Sequence, residues 1–250
     1  MEATIATYGE NMLNKQRVQE YWQEQTKRGE NPCHYHDKWQ DRYAYTIRTS
    51  VYKKGDFEGA KRIVDVGCGI GDYTIFFSQM CAAKFIGFDF PFNIAIAKKK
   101  YVDNPRLEFY GDPLPSERLK GEVESADIAL TTTVYVHLAR EAREAFLRYV
   151  GGMKREARVI LLEYAPDTIP PFQKGIPYKE VETPAQIVRR MEERGFRLKE
   201  RRAVNCIDSF LFFHLGKNFF TYFLTLWSDR FLRAVRYPKS KYKLFIFEKT

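Results

Sequence analysis

The sequence predicts an α/β protein whose core is a mostly parallel sheet with helices on both of its faces. From residue 61 onward, short apolar runs alternate with helical stretches, and this alternation is typical of such a sheet. The run "RIVDV" is continuous and apolar, as expected of a strand that is buried on both faces. With 250 residues, the chain is long enough for one large domain, or a domain with a lid, and for a substantial core.

Apolar periodicity places the elements of this core. Seven strands are predicted, at 62–66, 84–88, 106–110, 126–132, 157–164, 197–204 and 242–250. The helices between them are predicted at 72–81, 92–102, 139–150 and 183–196. The last helix has Thr183 as its N-cap and Pro184 at its first position, which is a common start of a helix.

Two helices are predicted before the core, at 11–29 and at 36–54. The second has an apolar side chain at every fourth position, which gives it one apolar stripe. The members of this stripe are Trp39, Tyr43, Ile47 and Val51. We expect residues 1–58 to form an N-terminal helical cap on a core made of 59–206 and 240–250.

An aromatic-rich segment, residues 207–239, interrupts the alternation of strands and helices just before the last strand. It is apolar almost all round and then becomes basic, with Arg230, Arg233 and Arg236 three residues apart. Polar and charged residues break its apolar run, so it falls short of the ~20 uninterrupted apolar residues of a membrane-spanning helix. We predict a helical insertion that forms part of a binding pocket or an interface. The alternative is helices that pack on the sheet or on a second subunit.

The net charge and the cysteines limit the classes of partner and the cellular compartment to be expected. The formal net charge of +9 favours phosphate, nucleic acid or an anionic membrane surface, although a basic surface without a partner explains it equally well. The four cysteines include no Cys-x-x-Cys pair, which argues against a zinc ribbon or a disulfide framework and suits a reducing compartment. The N-terminus lacks the apolar core of a secretory signal. We therefore expect a cytoplasmic protein, with peripheral membrane contact as an open option.

The stretch "IVDVGCGIGDYT", residues 63–74, predicts a ligand-binding loop after the first strand. Its three glycines occupy every second position from 67, where they permit positive φ and let a ligand approach the bare backbone. A dinucleotide fingerprint would need a glycine at the position of Asp72. The strand-end carboxylate of Asp65 disfavours a pyrophosphate and favours a ligand that carries an ammonium group.

Two further acids complete a site for an adenosine with an amino-acid tail. Asp89 ends the second strand, where a carboxylate suits bidentate hydrogen bonding to a ribose diol. Phe90 beside it offers an apolar face to a flat base, and Asp112, after the third strand, can accept a bond from an exocyclic amine. The alternatives are capping or turn chemistry for Asp65 and Asp112, and core packing for Phe90.

The segments "VDVGCGIG", "GFDF", "FYGDPL" and "TTTVYVHL", in this order, resemble the signature segments of class I S-adenosylmethionine-dependent methyltransferases, in particular those of small-molecule type. The resemblance covers about residues 60–205 and the final strand. It implies a Rossmann-like, seven-stranded, mostly parallel sheet whose last strand is antiparallel. It also implies S-adenosyl-L-methionine as the cofactor and S-adenosyl-L-homocysteine as the product.

The same resemblance implies roles for individual residues. The glycine loop would line the methionine moiety, Asp89 would bind the ribose hydroxyls, and Asp112 would meet the adenine amine, with Phe90 packed on the adenine. Thr131 to Thr133 would border the sulfonium and the incoming acceptor. The implied cofactor-binding residues are Asp65, Gly67, Cys68, Gly69, Asp89, Phe90, Asp112, Pro113, Thr131 and Thr132.

Candidate bases for methyl transfer are few. Most of the rate of an in-line displacement comes from alignment and desolvation, so a base is needed only where the acceptor arrives protonated. The candidate catalytic residues are His137, Glu163 and His36. His137 could instead cap the following helix, and Glu163 could be a surface residue. His34 lies two residues from His36, but no third ligand is evident, so no metal site is predicted.

The predicted function is transfer of a methyl group from S-adenosylmethionine to a small, apolar or lipid-like acceptor. The insertion at 207–239 would supply an apolar wall of the acceptor pocket, followed by basic residues that can bind phosphate or anionic headgroups. The segment "TTTVYVH" lacks the Asn/Asp-Pro-Pro-aromatic motif that usually accompanies amine methylation of nucleobases in this fold. Methylation of RNA or protein, and a non-catalytic S-adenosylmethionine-binding scaffold, are the alternatives. Nucleic acid is the weaker partner class, and a homo-oligomer is compatible with the sequence.

Overall fold

The computed structural model describes residues 19–24, 45–167, 181–204, 219–234, 240 and 242–250. In this part of the chain, seven strands form one sheet: β1 (Arg62–Val66), β2 (Lys84–Phe88), β3 (Leu107–Tyr110), β4 (Ile128–Thr132), β5 (Arg158–Tyr164), β6 (Phe196–Val204) and β7 (Tyr242–Lys249). Their order in the sheet is β3-β2-β1-β4-β5-β7-β6. The pairs among β1 to β5 are parallel, and β7 is antiparallel to both of its neighbours. This confirms the predicted Rossmann-like sheet with an antiparallel last strand.

Helices connect the strands on both faces of the sheet. They are α1 (Asp72–Ser78), α2 (Pro91–Lys100), α3 (Glu117–Ser125), α4 (Arg140–Gly151), α5 (Pro184–Glu192) and α6 (Phe219–Ala234). Thr183 caps α5 as predicted, because its hydroxyl accepts a hydrogen bond from the backbone N–H of Gln186 at 3.4 Å. Shorter helical segments cover 19–24 and 45–49, and 3₁₀ turns cover Lys54–Phe57 and Tyr135–His137.

Helix α3 was not predicted. Its N-cap is Ser116, whose hydroxyl accepts a hydrogen bond from the backbone N–H of Leu119 at 3.3 Å. Leu119 and Val123 are one helical turn apart and are both buried. The helix is otherwise polar, so its apolar stripe consists of these two residues and is easily missed by a search for longer periodic runs.

Two apolar clusters fill the space above and below the sheet. Neighbouring residues of β1 point to opposite faces, so Ile63 belongs to one cluster and Val64 to the other. The first cluster includes Phe77 of α1, and the second includes Phe146 of α4. The central strands are therefore covered on both sides, and their carboxyl ends form the edge where ligands bind in such sheets.

The predicted helix over 36–54 ends earlier than expected. The regular helix covers 45–49, and Lys53 is extended with φ −120° and ψ 152°. Its backbone N–H donates to a carboxylate oxygen of Asp56 at 2.8 Å, and the guanidinium of Arg202 on β6 donates to both oxygens of Asp56 at 2.7 Å. This ion pair holds the chain in a 3₁₀ turn against the sheet. Residues Trp39 and Tyr43 lie outside the described residues, and the boundaries of the cap at 1–58 and of the core remain predictions.

Helix α6 confirms a helix within the predicted insertion. Its Leu226 is buried and joins the same apolar cluster as Val204 of β6. Phe210, Phe212 and Phe213 of the insertion lie outside the described residues. Among the helices of the described residues, none has the length and apolarity that would allow it to cross a membrane.

Candidate functional site

The glycine loop between β1 and α1 adopts a backbone that other residues rarely adopt. Gly67, Gly69 and Gly71 have φ values of 77°, 58° and 87°. A Cβ atom at Gly67 would lie 2.5 Å from both methyl carbons of Val134, and one at Gly71 would lie 2.9 Å from the ring of Tyr101. Glycine is therefore required at 67 and 71 for two reasons, namely the positive φ and the close approach of a neighbour.

The end of β2 holds this loop in place. The carboxylate of Asp89 accepts a hydrogen bond from the backbone N–H of Gly69 at 2.8 Å through one oxygen. Its other oxygen accepts bonds from the backbone N–H of Phe90 and the side-chain amide of Asn93, both at 2.7 Å. Burial raises the pKa of Asp89, and these hydrogen bonds act in the opposite direction. Asp89 is thus a half-buried acceptor that fixes the loop relative to β2.

Asp65 lies beneath the loop and does not line the cavity described below. Its side chain is 1% exposed, and one oxygen accepts a hydrogen bond from the hydroxyl of Thr74 on α1 at 2.6 Å. Burial raises its pKa to about 7; the bond from Thr74 lowers the pKa and the charge of Asp89 raises it further. Its implied contact with the methionine moiety stays a prediction.

The loop after β4 is held by the buried carboxylate of Glu163 at the end of β5. Glu163 accepts hydrogen bonds from the hydroxyl of Thr131 at 2.7 Å and from the backbone N–H groups of residues 134–136 at 3.0 to 3.3 Å. Burial raises its pKa to about 7 against the effect of these bonds. Within this loop Thr133 has φ 58°, a costly backbone conformation for a β-branched residue. Glu163 therefore anchors a strained loop, and neither Glu163 nor Thr131 lines the cavity.

A second polar network fixes the turn that follows. Arg143 of α4 is 2% exposed and donates to the carboxylate of Glu182 at 3.2 Å and to the carbonyl oxygens of Tyr135 and Leu138 at 3.3 and 3.4 Å. The hydroxyl of Tyr135 donates to the other oxygen of Glu182 at 3.2 Å. The turn Tyr135–His137 is thus fixed on both sides, by Glu163 and by Arg143.

These elements surround one cavity at the carboxyl edge of the sheet. Eight of the ten implied cofactor residues line it, and they are Gly67, Cys68, Gly69, Asp89, Phe90, Asp112, Pro113 and Thr132. The candidate base His137 lines it as well. The candidate base His36 lies outside the described residues. The structure therefore brings together residues from the ends of β1, β2, β3 and β4.

Among the lining residues that sequence reasoning missed are Trp22 and Asn93. Asn93 lies in the first turn of α2, four residues after Asp89. This spacing could have indicated that the two side chains are neighbours. Trp22 comes from the helical segment 19–24, and its ring meets that of His137 edge-on at a centroid distance of 5.1 Å. No local pattern indicates this contact between residues so far apart in the chain.

Metal chemistry finds no support among the described residues, where no group of three or more His, Cys, Asp or Glu side chains is arranged to hold a metal ion. The pair His34 and His36 lies outside those residues.

Comparison with known proteins identifies the class to which this site belongs. Residues 63–173, from β1 to beyond β5, match the methyltransferase domain family. Residues 63–173 are therefore a methyltransferase domain, and the sheet has the Rossmann-like topology of the class I S-adenosylmethionine-dependent methyltransferases. No curated protein sequence matches the chain significantly.

Solved structures show the same fold at low sequence identity. An O-methyltransferase from a trans-AT PKS multienzyme of Brevibacillus brevis, in complex with S-adenosyl-L-homocysteine, aligns with a TM-score of 0.55 at 14% identity, over 83% of this chain and 72% of its own. A cyclopropane synthase from Mycobacterium tuberculosis aligns with a TM-score of 0.57 at 12% identity, over 82% and 84%. A 1,6-didemethyltoxoflavin N1-methyltransferase from Burkholderia thailandensis aligns with a TM-score of 0.54 at 14% identity, over 85% and 80%.

The first prediction concerns the need for glycine in the loop. We expect Gly67→Ala to lower the free energy of unfolding by about 1–3 kcal/mol, because the new methyl group meets Val134 and positive φ disfavours alanine. Urea unfolding measures the change. Gly121→Ala is the matched control, since Gly121 lies in α3 with no atom within 4 Å of an added Cβ, and alanine there should stabilise by about 0.5–1 kcal/mol. Equal effects at the two positions would contradict the assignment.

The second prediction concerns the buried carboxyl group of Asp65. Its pKa is about 7 in the folded protein against an ordinary value of 3.8, so the folded state binds this proton more tightly. Stability from this group is complete below its unfolded pKa and is lost as the pH rises through 7. In the wild type, the unfolding free energy should therefore decline between about pH 4 and pH 7 by at most about 1.4 kcal/mol per pH unit, and Asp65→Asn should remove this decline.

Urea unfolding at a series of pH values, compared between wild type and variant, measures this difference. Glu58→Gln, which removes an exposed carboxylate, is the control and should follow the wild type. A difference between wild type and Asp65→Asn that does not change with pH would contradict the raised pKa.

Proposed function

We propose that the protein transfers a methyl group to a small, uncharged, largely apolar acceptor that enters the cavity beside His137. The observation that carries this proposal is the chemistry of the cavity wall. The cavity that His137 lines is also lined by Trp22, Tyr73, Val134 and Leu138, and the ring of Trp22 contacts that of His137. Among the described residues that line the cavity there is neither a lysine nor an arginine, in a chain whose net charge is +9.

This wall disfavours an anionic acceptor. The charged side chains on it are the carboxylates of Asp89 and Asp112, and a phosphate or carboxylate on the acceptor would be repelled by them. Nucleic-acid-binding surfaces, by contrast, place lysine and arginine against the phosphates. The net charge is the observation in favour of RNA as an acceptor, and the cavity wall is the stronger observation against it.

We assign the cofactor to the side of the cavity formed by the glycine loop. S-adenosylmethionine supplies an electrophilic methyl group when bound. A carboxylate offers about four lone-pair sites, and hydrogen bonds within the chain use three of those of Asp89. We infer that the remaining site on the oxygen bonded to Gly69 accepts a ribose hydroxyl, with Phe90 and Pro113 packed on the adenine. Asp112 forms an ion pair with Arg118 at 3.4 Å. Because its side chain is still half-exposed, we infer that it can also accept a hydrogen bond from the adenine amine.

His137 is the proposed base where the acceptor is a hydroxyl group. A neutral imidazole can accept the proton that the hydroxyl releases. Hydrogen bonds between the turn of His137 and the side chains of Glu163 and Arg143 support this role, because an in-line displacement depends on alignment. Glu163 is proposed as a positioning residue, because its oxygens are engaged by the loop and do not line the cavity.

Two of the similar structures support a small acceptor. One is an O-methyltransferase, and another holds 1,6-didemethyltoxoflavin together with S-adenosylhomocysteine. A small acceptor also suits the mostly apolar lining of this cavity.

The third prediction tests the assignment of Asp89. We expect Asp89→Asn to weaken binding of S-adenosylhomocysteine by about 10- to 100-fold, because a charged hydrogen bond to the ribose and the clamp on Gly69 are both lost. Isothermal titration calorimetry measures the affinity, and circular dichroism checks that the variant is folded. Asp103→Asn removes an exposed carboxylate outside the cavity and should bind as the wild type does. A folded Asp89→Asn variant with unchanged affinity would refute the assignment.

The fourth prediction tests the acceptor class. Transfer of labelled methyl from S-adenosylmethionine should be detected with neutral hydroxylated aromatic compounds or neutral long-chain alcohols. We expect at least about tenfold less transfer to their phosphorylated counterparts and to oligoribonucleotides, since each unpaired charge at a desolvated site costs several RT. Preferred methylation of the anionic compounds would overturn the proposal.

The His137→Gln variant adds an internal control to this assay. It should lose about 100-fold or more of the turnover with a hydroxyl acceptor while its affinity for S-adenosylhomocysteine stays within a factor of a few. Added imidazole should partly restore the activity of His137→Ala. Full activity of both variants would remove His137 from the proposed mechanism.

A further inference from the structure

Helix α6 presents an exposed apolar face on the outside of the molecule. Phe220, Leu224, Trp227 and Phe231 are 74%, 41%, 69% and 56% exposed. At about 100° per residue, these four positions fall within a sector of about 60° on the helix surface. We refer to them as the aromatic face. Leu226 lies outside this sector, and its buried side chain packs in the core.

The aromatic face is preorganised and is separate from the cavity. The rings of Trp227 and Phe231 are parallel within 7°, with centroids 6.4 Å apart. None of the described side chains of α6 lines the cavity beside His137. Contiguous exposed apolar side chains of this size usually mark a surface that binds a protein or a membrane.

The charge of the sequence segment that contains this face distinguishes the two kinds of partner. Residues 217–241 contain six basic residues and one acidic residue, a formal net charge of +5. Arg230 is exposed and lies on the flank of the aromatic face. A second copy of the chain would bring an equal positive charge against this one, which costs free energy, whereas anionic headgroups would be attracted to it.

We propose that the aromatic face of α6 binds the surface of a lipid bilayer that contains anionic headgroups. From Phe220 to Phe231 the face is about 16 Å long, and α6 is not long and apolar enough to cross a membrane. The helix therefore lies in the interfacial plane, with its aromatic rings among the upper acyl chains and its basic residues at the phosphates. The inference does not depend on the acceptor, because bilayer binding requires neither cofactor nor methyl transfer.

Co-sedimentation of the full chain with vesicles tests the proposal. Vesicles made of equal parts of phosphatidylglycerol and phosphatidylcholine should bind the protein, and binding to pure phosphatidylcholine should be weaker by at least about tenfold. The triple variant F220S/W227S/F231S should lose roughly 100-fold in affinity for the anionic vesicles. Arg230→Glu should lower the affinity for anionic vesicles by at least about fivefold, and high salt should lower it as well.

Two matched controls separate the face from general surface properties. Val102→Ser removes an equally exposed apolar side chain, 76% exposed, beyond the end of α2. Arg155→Glu reverses an exposed charge in the turn before β5. Both variants should bind anionic vesicles as the wild type does.

Three results would overturn the proposal. Equal binding to neutral and anionic vesicles would exclude the role of the charge. A dimer in sedimentation velocity that the triple variant abolishes, without vesicle binding, would assign the face to a second copy. Absence of vesicle binding together with a lower unfolding temperature of the triple variant would assign it to packing within the chain.

Discussion

The hydrogen bond from the backbone N–H of Gly69 to the carboxylate of Asp89 is the contact on which the cofactor side of the site depends. It joins a loop with three left-handed glycines to the end of the neighbouring strand. Without such an acceptor, a loop of this kind would be among the most mobile parts of the backbone, because glycine gains the most freedom on unfolding. The same carboxylate also fixes the start of α2 through Phe90 and Asn93. One side chain thus aligns two strand ends and one helix.

A second buried carboxylate does the equivalent work on the acceptor side. Glu163 gathers the hydroxyl of Thr131 and the amides of residues 134–136, and so holds a loop in which Thr133 is strained. Burial raises the pKa values of both Asp89 and Glu163, and hydrogen bonds from the chain act in the opposite direction. The two loops lie in contact, because a Cβ at Gly67 would be 2.5 Å from the methyl carbons of Val134.

Several features could be predicted from the sequence because they depend on residues that are close together in the chain. The period of the apolar residues gave the strands and most of the helices, and the spacing of the glycines separated this loop from a dinucleotide-binding one. Asp89, Phe90, Asp112 and Pro113 line one cavity, as expected where the carboxyl ends of parallel strands meet at one edge, and their contacts with the cofactor stay predictions. Helix α3 was missed because its apolar stripe is only two residues long.

Other features were decided by packing between residues that are distant in the chain. Asp65, Thr131 and Glu163 carry the residue types of a binding site but do not line the cavity. Asp65 is bonded to Thr74 of α1, and Glu163 holds the loop after β4 together with Thr131. Trp22 has no sequence signal and still meets His137. By itself, the sequence determined the fold, the cofactor class and the strand ends that surround the cavity. The tertiary structure alone decided which polar side chains line the cavity and which support the loops, because that choice depends on burial and on contacts across the sheet.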